Sequence, residues 1–298
     1  MKISFYGAAL LLACMSFLAS AQEEVQEDPF AKEVRLAVEA ARAVAQDGPA
    51  EIPLTGQAVL KLPPGYVFIP QKEAGALMTA WGNRTGPDLL GMVVPAGDDE
   101  WFVVLSYEAS GYIRDDDAKE WDADELLSGL REGTLEANKE RARRGIPEME
   151  IVGWAQTPSY DAQTHRLRWS LASRDIGAPP DAPQGVNYNT YALGREGYIS
   201  LNLVTDLGAI SKDKAVAEEL LGALHFDQGK RYADFNESTD RVAEYGLAAL
   251  VAGVAAKKLG MFALIAAFFA KFAKVIGLAA IAGGAGLFKY FKRNKDQS

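Results

Sequence analysis

The densest set of side chains able to do chemistry is acidic. Asp115, Asp116 and Asp117 stand in a row, followed by Glu120, Asp122, Asp124 and Glu125, with Asp98, Asp99 and Glu100 a little earlier. Oxygen-rich clusters suit a hard cation such as Ca²⁺ or Mg²⁺, and paired carboxylates are the machinery of glycoside hydrolysis. The calcium-binding loop of helix–loop–helix proteins does not fit, because the position where it needs glycine is Glu120. The plainer reading is a solvated loop whose negative charge gathers at a helix start, where the helix dipole favours it.

A second candidate is Trp81-Gly82-Asn83-Arg84-Thr85-Gly86. Its glycines permit a tight turn, and Asn83 and Arg84 could aim donors at an anionic group; the competing reading is a structural turn with Arg84 paired to an acid of the same domain. The two histidines, His165 and His225, each sit at the edge of an apparent strand. They are too few for a transition-metal site, which wants several His or Cys ligands. No Gly-x-Ser-x-Gly elbow accompanies them for nucleophilic catalysis. The expectation is therefore no cofactor, no metal and no catalytic constellation, with Asn83, Arg84 and Asp115–Asp117 as the residues to watch for binding.

The elements that must position these residues lie between two distinctive ends. Lys2, the apolar run Ile3–Leu18 and Ala19-Ser20-Ala21 form the pattern of a secretory signal peptide cut before Gln22. The alternative is a lipoprotein signal at Cys14, disfavoured by Leu12 and by the apolar residues beyond it. Cleavage of residues 1–21 would remove Cys14, the one cysteine, so the exported chain would hold together without disulfides. Between Gln22 and Ala243 there are 22 basic against 38 acidic residues, and from Glu244 onward 8 against 2. Such an acidic body excludes nucleic acid as a partner, since phosphate backbones require clustered Lys and Arg.

The basic tail, 244–298, reads as a membrane anchor. Its three apolar pieces (246–256, 259–270 and 275–288) are each shorter than the roughly 20 residues a span needs. Lys257, Lys271, Lys274, Lys289 and Lys292 fall on one helical stripe at about 100° per residue. They and Arg293 are the expected membrane-surface residues, and the cluster Lys289–Lys295 fits a cytoplasmic end under the positive-inside rule. A buried core helix is the competing account of this tail, and self-association into a pore is a further one.

Between the ends the periodicities alternate. Helical spacing runs over 33–44, halted by Gly48-Pro49, and a turn or two over 73–81. Strands are predicted at 57–62, 66–69, 89–94, 101–107, 149–156, 165–172, 187–193 and 198–204. Asp122 is placed to cap a helix running to about Arg144, and a last helix spans 212–224. The connections are too short for helical crossovers, which implies antiparallel neighbours. The expected fold is α+β: a single antiparallel β-sheet with packed helices, α/β/α sandwich-like, plus C-terminal membrane helices. The organisation is a signal peptide at 1–21, a helical lead-in at 22–55, a globular domain at 56–243 and the tail at 244–298.

Several phrases then fall in order. Leu62-Pro63-Pro64-Gly65-Tyr66-Val67-Phe68-Ile69-Pro70, Gly82-Asn83-Arg84, Gly111-Tyr112-Ile113, Asp115-Asp116-Asp117-Ala118, Gly153-Trp154 and Val186-Asn187-Tyr188 are followed by Leu193-Gly194-Arg195-Glu196-Gly197-Tyr198. The exit runs Arg231-Tyr232-Ala233-Asp234-Phe235 and then Asp240 through Leu247. In these the chain resembles domain-of-unknown-function family 2167, bacterial proteins described as predicted to be membrane-anchored. The resemblance implies membrane attachment and carries over no catalytic residue. A looser likeness of topology is to the PsbP-like α/β/α sandwiches. The functional expectation is a bacterial cell-membrane protein with a periplasm-facing, non-enzymatic binding or adaptor domain. Its expected partners are membrane lipid, through the tail, and an envelope protein or a second copy of itself; a carboxylate-dependent, carbohydrate-active hydrolase is the alternative.

Overall fold

The computed structural model describes residues 29–252, apart from Gly82, Arg84, Glu120, Arg144, Ile146 and Pro180. The signal-peptide region and the lysine-striped tail beyond Ala252 lie outside the described residues. No helix among those described is long and apolar enough to cross a membrane.

The chain opens with helix α1 (Pro29–Val44), strands β1 (Gln46–Asp47), β2 (Ala50–Leu54), β3 (Ala58–Leu62) and β4 (Tyr66–Pro70), and helix α2 (Gln71–Ala80). Strands β5 (Leu89–Pro95) and β6 (Phe102–Glu108) lead through a short 3₁₀ turn, Asp116–Lys119, to helix α3 (Ala123–Arg143). A four-strand meander follows: β7 (Met149–Asp161), β8 (Arg166–Asp175), β9 (Gly185–Leu193) and β10 (Tyr198–Asp206). Helix α4 (Ile210–Ala223), strand β11 (Leu224–Phe226), a second 3₁₀ turn at Tyr232–Asp234 and helix α5 (Leu247–Val251) complete the described chain.

All strand pairs are antiparallel. The expectation of one sheet is corrected: eight strands form one sheet, in the order β1-β4-β5-β6-β10-β9-β8-β7, and β11-β3-β2 form a second. The extra sheet arises from the hairpin of β2 with β3, which pairs Ile52 with Leu60 and Leu54 with Ala58. The sequence places β2 in the helical lead-in, and Pro53 lies within it. As the edge strand of its sheet, however, β2 tolerates a residue with no N–H to donate.

Strand alternation assigns the two faces of the large sheet. On one face Val103, Leu105, Tyr188, Ile199, Leu201 and Leu203 pack against Leu60 and Leu62 of the small sheet and Leu220 and Leu221 of α4. On the other face α1 and α2 cover Met92, Phe102 and Val204. Farther along that face, Leu167, Trp169, Leu193 and Tyr198 meet Leu126 of α3 and Leu247, Leu250 and Val251 of α5. Each fully buried leucine contributes roughly 1.5–3 kcal/mol over its exposed state, so the core needs no disulfide to hold it.

Helix α3 is pinned by polar contacts as well as by its apolar face. Asp122 Oδ1 accepts from the amides of Asp124 and Glu125 at 2.8 and 3.0 Å, which caps the helix as its sequence requires. The amide of Asn138 bridges the carbonyl and N–H of Met149, and Arg131 donates to the carbonyls of Ile151 and Val152. These bonds occupy backbone groups of β7, the outermost strand, and so cover an edge open to unwanted pairing.

Candidate functional site

The acidic loop lies where the last described segment of the chain meets the large sheet, and two of its acids have definite tasks. Asp117 turns both carboxylate oxygens to the start of α5: the N–H of Leu247 donates to Oδ1 and that of Ala248 to Oδ2, each at 3.0 Å. Gly246 makes this approach possible, since a Cβ there would stand 2.5 Å from Asp117 Oδ2. Asp115 faces the sheet instead. Its Oδ2 accepts from the Tyr160 hydroxyl at 2.8 Å and lies 3.8 Å from His165 Nδ1. Asp116 opens the 3₁₀ turn and is exposed. Among the described residues no group of three or more His, Cys, Asp or Glu side chains is arranged to hold a metal ion.

Tyr160 bridges Asp115 and His165. Its hydroxyl oxygen is 3.1 Å from His165 Nδ1, so one hydroxyl donates to the carboxylate and can accept from the ring N–H when Nδ1 carries the proton. Burial, then the hydrogen bond and charge of Asp115, push the Tyr160 phenol far above its usual range. Tyr160 is thus a permanent donor, with no capacity to act as base or nucleophile near neutral pH.

An aromatic file extends from this trio. His165 stacks on Tyr232 with centroids 4.1 Å apart, Tyr232 on Tyr112 at 4.4 Å, and Tyr112 on Phe235 at 3.8 Å. Tyr232 also donates from its hydroxyl to the carbonyl of Ile113 at 2.7 Å. His165 itself adopts a left-handed backbone (φ 52°) at the turn into β8, a conformation uncommon outside glycine.

The same segment, residues 227–245, is strapped to the domain at two more places. Arg195 forms a two-pronged pair with Asp240, from Nε to Oδ2 at 2.6 Å and from Nη2 to Oδ1 at 2.7 Å. That bond, with the N–H of Asn236, holds the Asp240 carboxyl well below the ordinary carboxylate range. The N–H of Tyr112 donates to the carbonyl of Arg241, and the N–H of Ala243 donates back to the carbonyl of Tyr112, each at 2.8 Å. Gly111 (φ 91°) lets these strands approach, because a Cβ there would lie 2.6 Å from Arg241 O. The arrangement is a clamp: Asp117, Tyr112, Tyr232 and Arg195 fix the stretch of chain that runs into the tail.

Of the other predicted candidates, only Asn83 is among the described residues, and it lies apart from the clamp. Asn83 is 5 % exposed and closes the end of α2, its N–H donating to Met78 O at 2.8 Å. Both side-chain amide atoms of Asn83 are buried without a hydrogen-bond partner among the described residues. Arg84 lies outside the described residues, as do Lys257, Lys271, Lys274, Lys289, Lys292 and Arg293. Beside this turn a cavity of about 730 Å³ opens between α1, α2 and residues 85–89, with Glu33, Leu36, Lys72 and Thr85 in its wall.

Tyr160, Tyr232 and Arg195 went unassigned from sequence, because their partners are 45, 119 and 45 residues away. Composition offered one signal, the concentration of Tyr, Arg and Asp in 231–245. A polar strip on the α1/α2 face, Asn187, Asn189 and Asn202, was hidden for a different reason. Asn189 and Asn202 are direct neighbours on paired strands, and their residue type reads as turn in a linear sequence.

The chain belongs to the family described as "Protein of unknown function (DUF2167)", whose model matches residues 46–282. No curated protein matches it. Among solved structures it is similar to cyanobacterial PsbP from Synechocystis sp. PCC 6803, with 11 % identity over 61 % of this chain and 92 % of that one, at a TM-score of 0.36. It is similar also to the Saccharomyces cerevisiae Ran-binding protein Mog1p, with 13 % identity over 63 % of this chain and 98 % of that one, at a TM-score of 0.32.

Proposed function

We propose that this family member is an exported envelope protein, held at the bacterial cell membrane by its tail, whose folded domain binds a partner without performing catalysis. The observation that carries the reading is the clamp on α5. Leu247, Leu250 and Val251 are buried in the domain, and Asp117 holds the amides of Leu247 and Ala248. The apolar, lysine-punctuated sequence follows directly after Ala252. A tail leaving from a fixed point gives the domain a preferred orientation at a membrane surface, which a floppy linker would not. In this reading the signal peptide exports the domain, Lys289–Lys295 remain cytoplasmic, and the lysine stripe meets lipid phosphates.

The absence of catalysis is supported by how the candidate side chains are used. Asp117 and Asp122 are committed to backbone amides, Asp115 to Tyr160, and Tyr160 is kept protonated. The test is photo-crosslinking in cells of the full chain carrying a photoreactive residue at Leu36 or Leu135, both exposed apolar positions on helices. A discrete envelope protein captured at either position is the expected result. Capture of lipid and copies of the chain alone would overturn the adaptor reading.

A further inference from the structure

Opposite the clamp, on the face that carries α4, the large sheet of this acidic domain holds a cluster of positive charge. Strand alternation places Arg166, Arg168 and Ser170 of β8 on that face, opposite Asp161, Ser159 and Gln156 of β7. Helix α4 rests on β9, β10 and β3. Ser159 is exposed and Gln156, Arg166 and Arg168 are half-buried, so β7 and β8 form the floor of a trough with α4 as one wall.

Two of the three cations are held in place. Arg168 Nε donates to both oxygens of Glu218 at 2.8 and 3.0 Å, and the Tyr188 hydroxyl donates to Glu218 Oε1 at 2.8 Å. One turn earlier on α4, Lys214 bonds Gln156 Oε1 and stands 5.5 Å from the centre of the Tyr188 ring. The third cation, Arg166, has no hydrogen-bond acceptor or ion-pair partner among the described residues. Burial, and then the charge of Arg168, disfavour its cationic form, while the nearby charges of Glu218 and Asp161 favour it. Asp161, across from Arg166, spends its carboxylate on Thr164 and the N–H of Gln163.

A half-buried guanidinium presents five donors in a fixed fork, and leaving them unmet is costly. Among the described residues Arg168 donates from Nε alone, so its terminal nitrogens are also available. We propose that this trough is a binding site for a phosphate group, gripped by the forks of Arg166 and Arg168 with Lys214 as the third charge. Arg166, Arg168 and Lys214 against Glu218 and Asp161 leave a local balance near +1, which favours an anion over a neutral group. Arg forks also suit the tetrahedral oxyanion geometrically. The acidic balance of residues 22–243, 22 basic against 38 acidic, disfavours anions over much of the rest of the domain.

The site is independent of the membrane reading and is tested without it. Isothermal titration of the full chain in neutral detergent is carried out with inorganic phosphate, glycerol 3-phosphate, short-chain phosphatidylglycerol and acetate. The expected result is saturable binding of at least one phosphate probe, weakened by added salt, with acetate weakest. Arg166→Ala should loosen that binding by about tenfold or more, and Lys214→Ala by less, as expected for loss of a charge-assisted pair. Lys72→Ala, on exposed α2, should leave it unchanged. Arg166→Lys, which keeps charge but loses the fork, should fall between and guards against a misfolded alanine variant. Binding of the lipid probe alone, lost in Arg166→Ala, supports the site with a headgroup as the phosphate source; binding of the two soluble phosphates supports a small-molecule source. No saturable binding of any phosphate probe by the wild-type chain, or equal binding by Arg166→Ala, would overturn the proposal.

Discussion

Replacing Asp117 with alanine should release the first turn of the tail while leaving the domain folded. The carboxylate accepts two backbone N–H groups, from Leu247 and Ala248 at 3.0 Å each, and no other side chain is described as capping α5. Loss of a capping carboxylate costs about 0.5–2 kcal/mol. Two half-buried amides left unpaired push the figure to the top of that range, so we take about 2 kcal/mol. Because about 1.4 kcal/mol is a factor of ten, the opening equilibrium of α5 should rise by about 30-fold. Asp117→Asn, which keeps one acceptor oxygen, should show about half that energy, or roughly fivefold. The assay is amide hydrogen exchange on the full chain, read at Leu247–Val251 and compared with the strands β9 and β10. Faster exchange confined to α5 and its neighbours 241–246 is the expected pattern. Exchange at α5 changed by less than about threefold would refute the reasoning, since it would mean that burial of Leu247, Leu250 and Val251 alone docks the helix.

Other outcomes follow from the same contacts. Gly246→Ala should mimic Asp117→Ala in the exchange assay, because its methyl would occupy the space of the Asp117 carboxylate. Leu201→Ala, at a position with no solvent exposure between the two sheets, should cost about 2–5 kcal/mol in denaturant unfolding. Burial raises the phenols of Tyr66, Tyr160, Tyr188 and Tyr232 above the usual value near 10. The folded state therefore keeps protons that the unfolded state loses, so stability is full below about pH 10 and falls as pH rises above it. Tyrosine absorbance and circular dichroism should change together there. At the acid end, Asp240 is lowered by Arg195, so its contribution is present above the ordinary Asp range and is lost as pH falls below it; proteolysis within 227–245 should become faster below about pH 4.

Much of the fold was legible because local signals agreed with the tertiary context. Alternation in 198–204 and 101–107 marked β10 and β6, which pair from Tyr198 with Glu108 to Val204 with Phe102, and Asp122 marked the start of α3. The second sheet was not legible. Ile52 and Leu54 alternate correctly, yet Pro53 between them reads as a break unless the strand is known to lie at an edge. The acidic loop was recognised for its composition, but the partners of its acids were not legible. Nothing in Asp115-Asp116-Asp117 reveals that the third acid meets amides 130 and 131 residues onward. The trough of Arg166 and Arg168 was equally hidden, because two arginines in a strand read as an outward face, and only the packing of α4 brings Glu218 and Lys214 to them.

The central claim, a domain fixed to a membrane through a clamped tail, is tested most directly by fractionation. The full chain and a chain ending at Ala252 are expressed in a bacterial host, and the membranes are washed with alkaline carbonate. The account predicts that the full chain stays in the washed membrane and that the shortened chain is recovered soluble and folded. A full chain released by the wash, or a shortened chain that stays with the membrane, would contradict it.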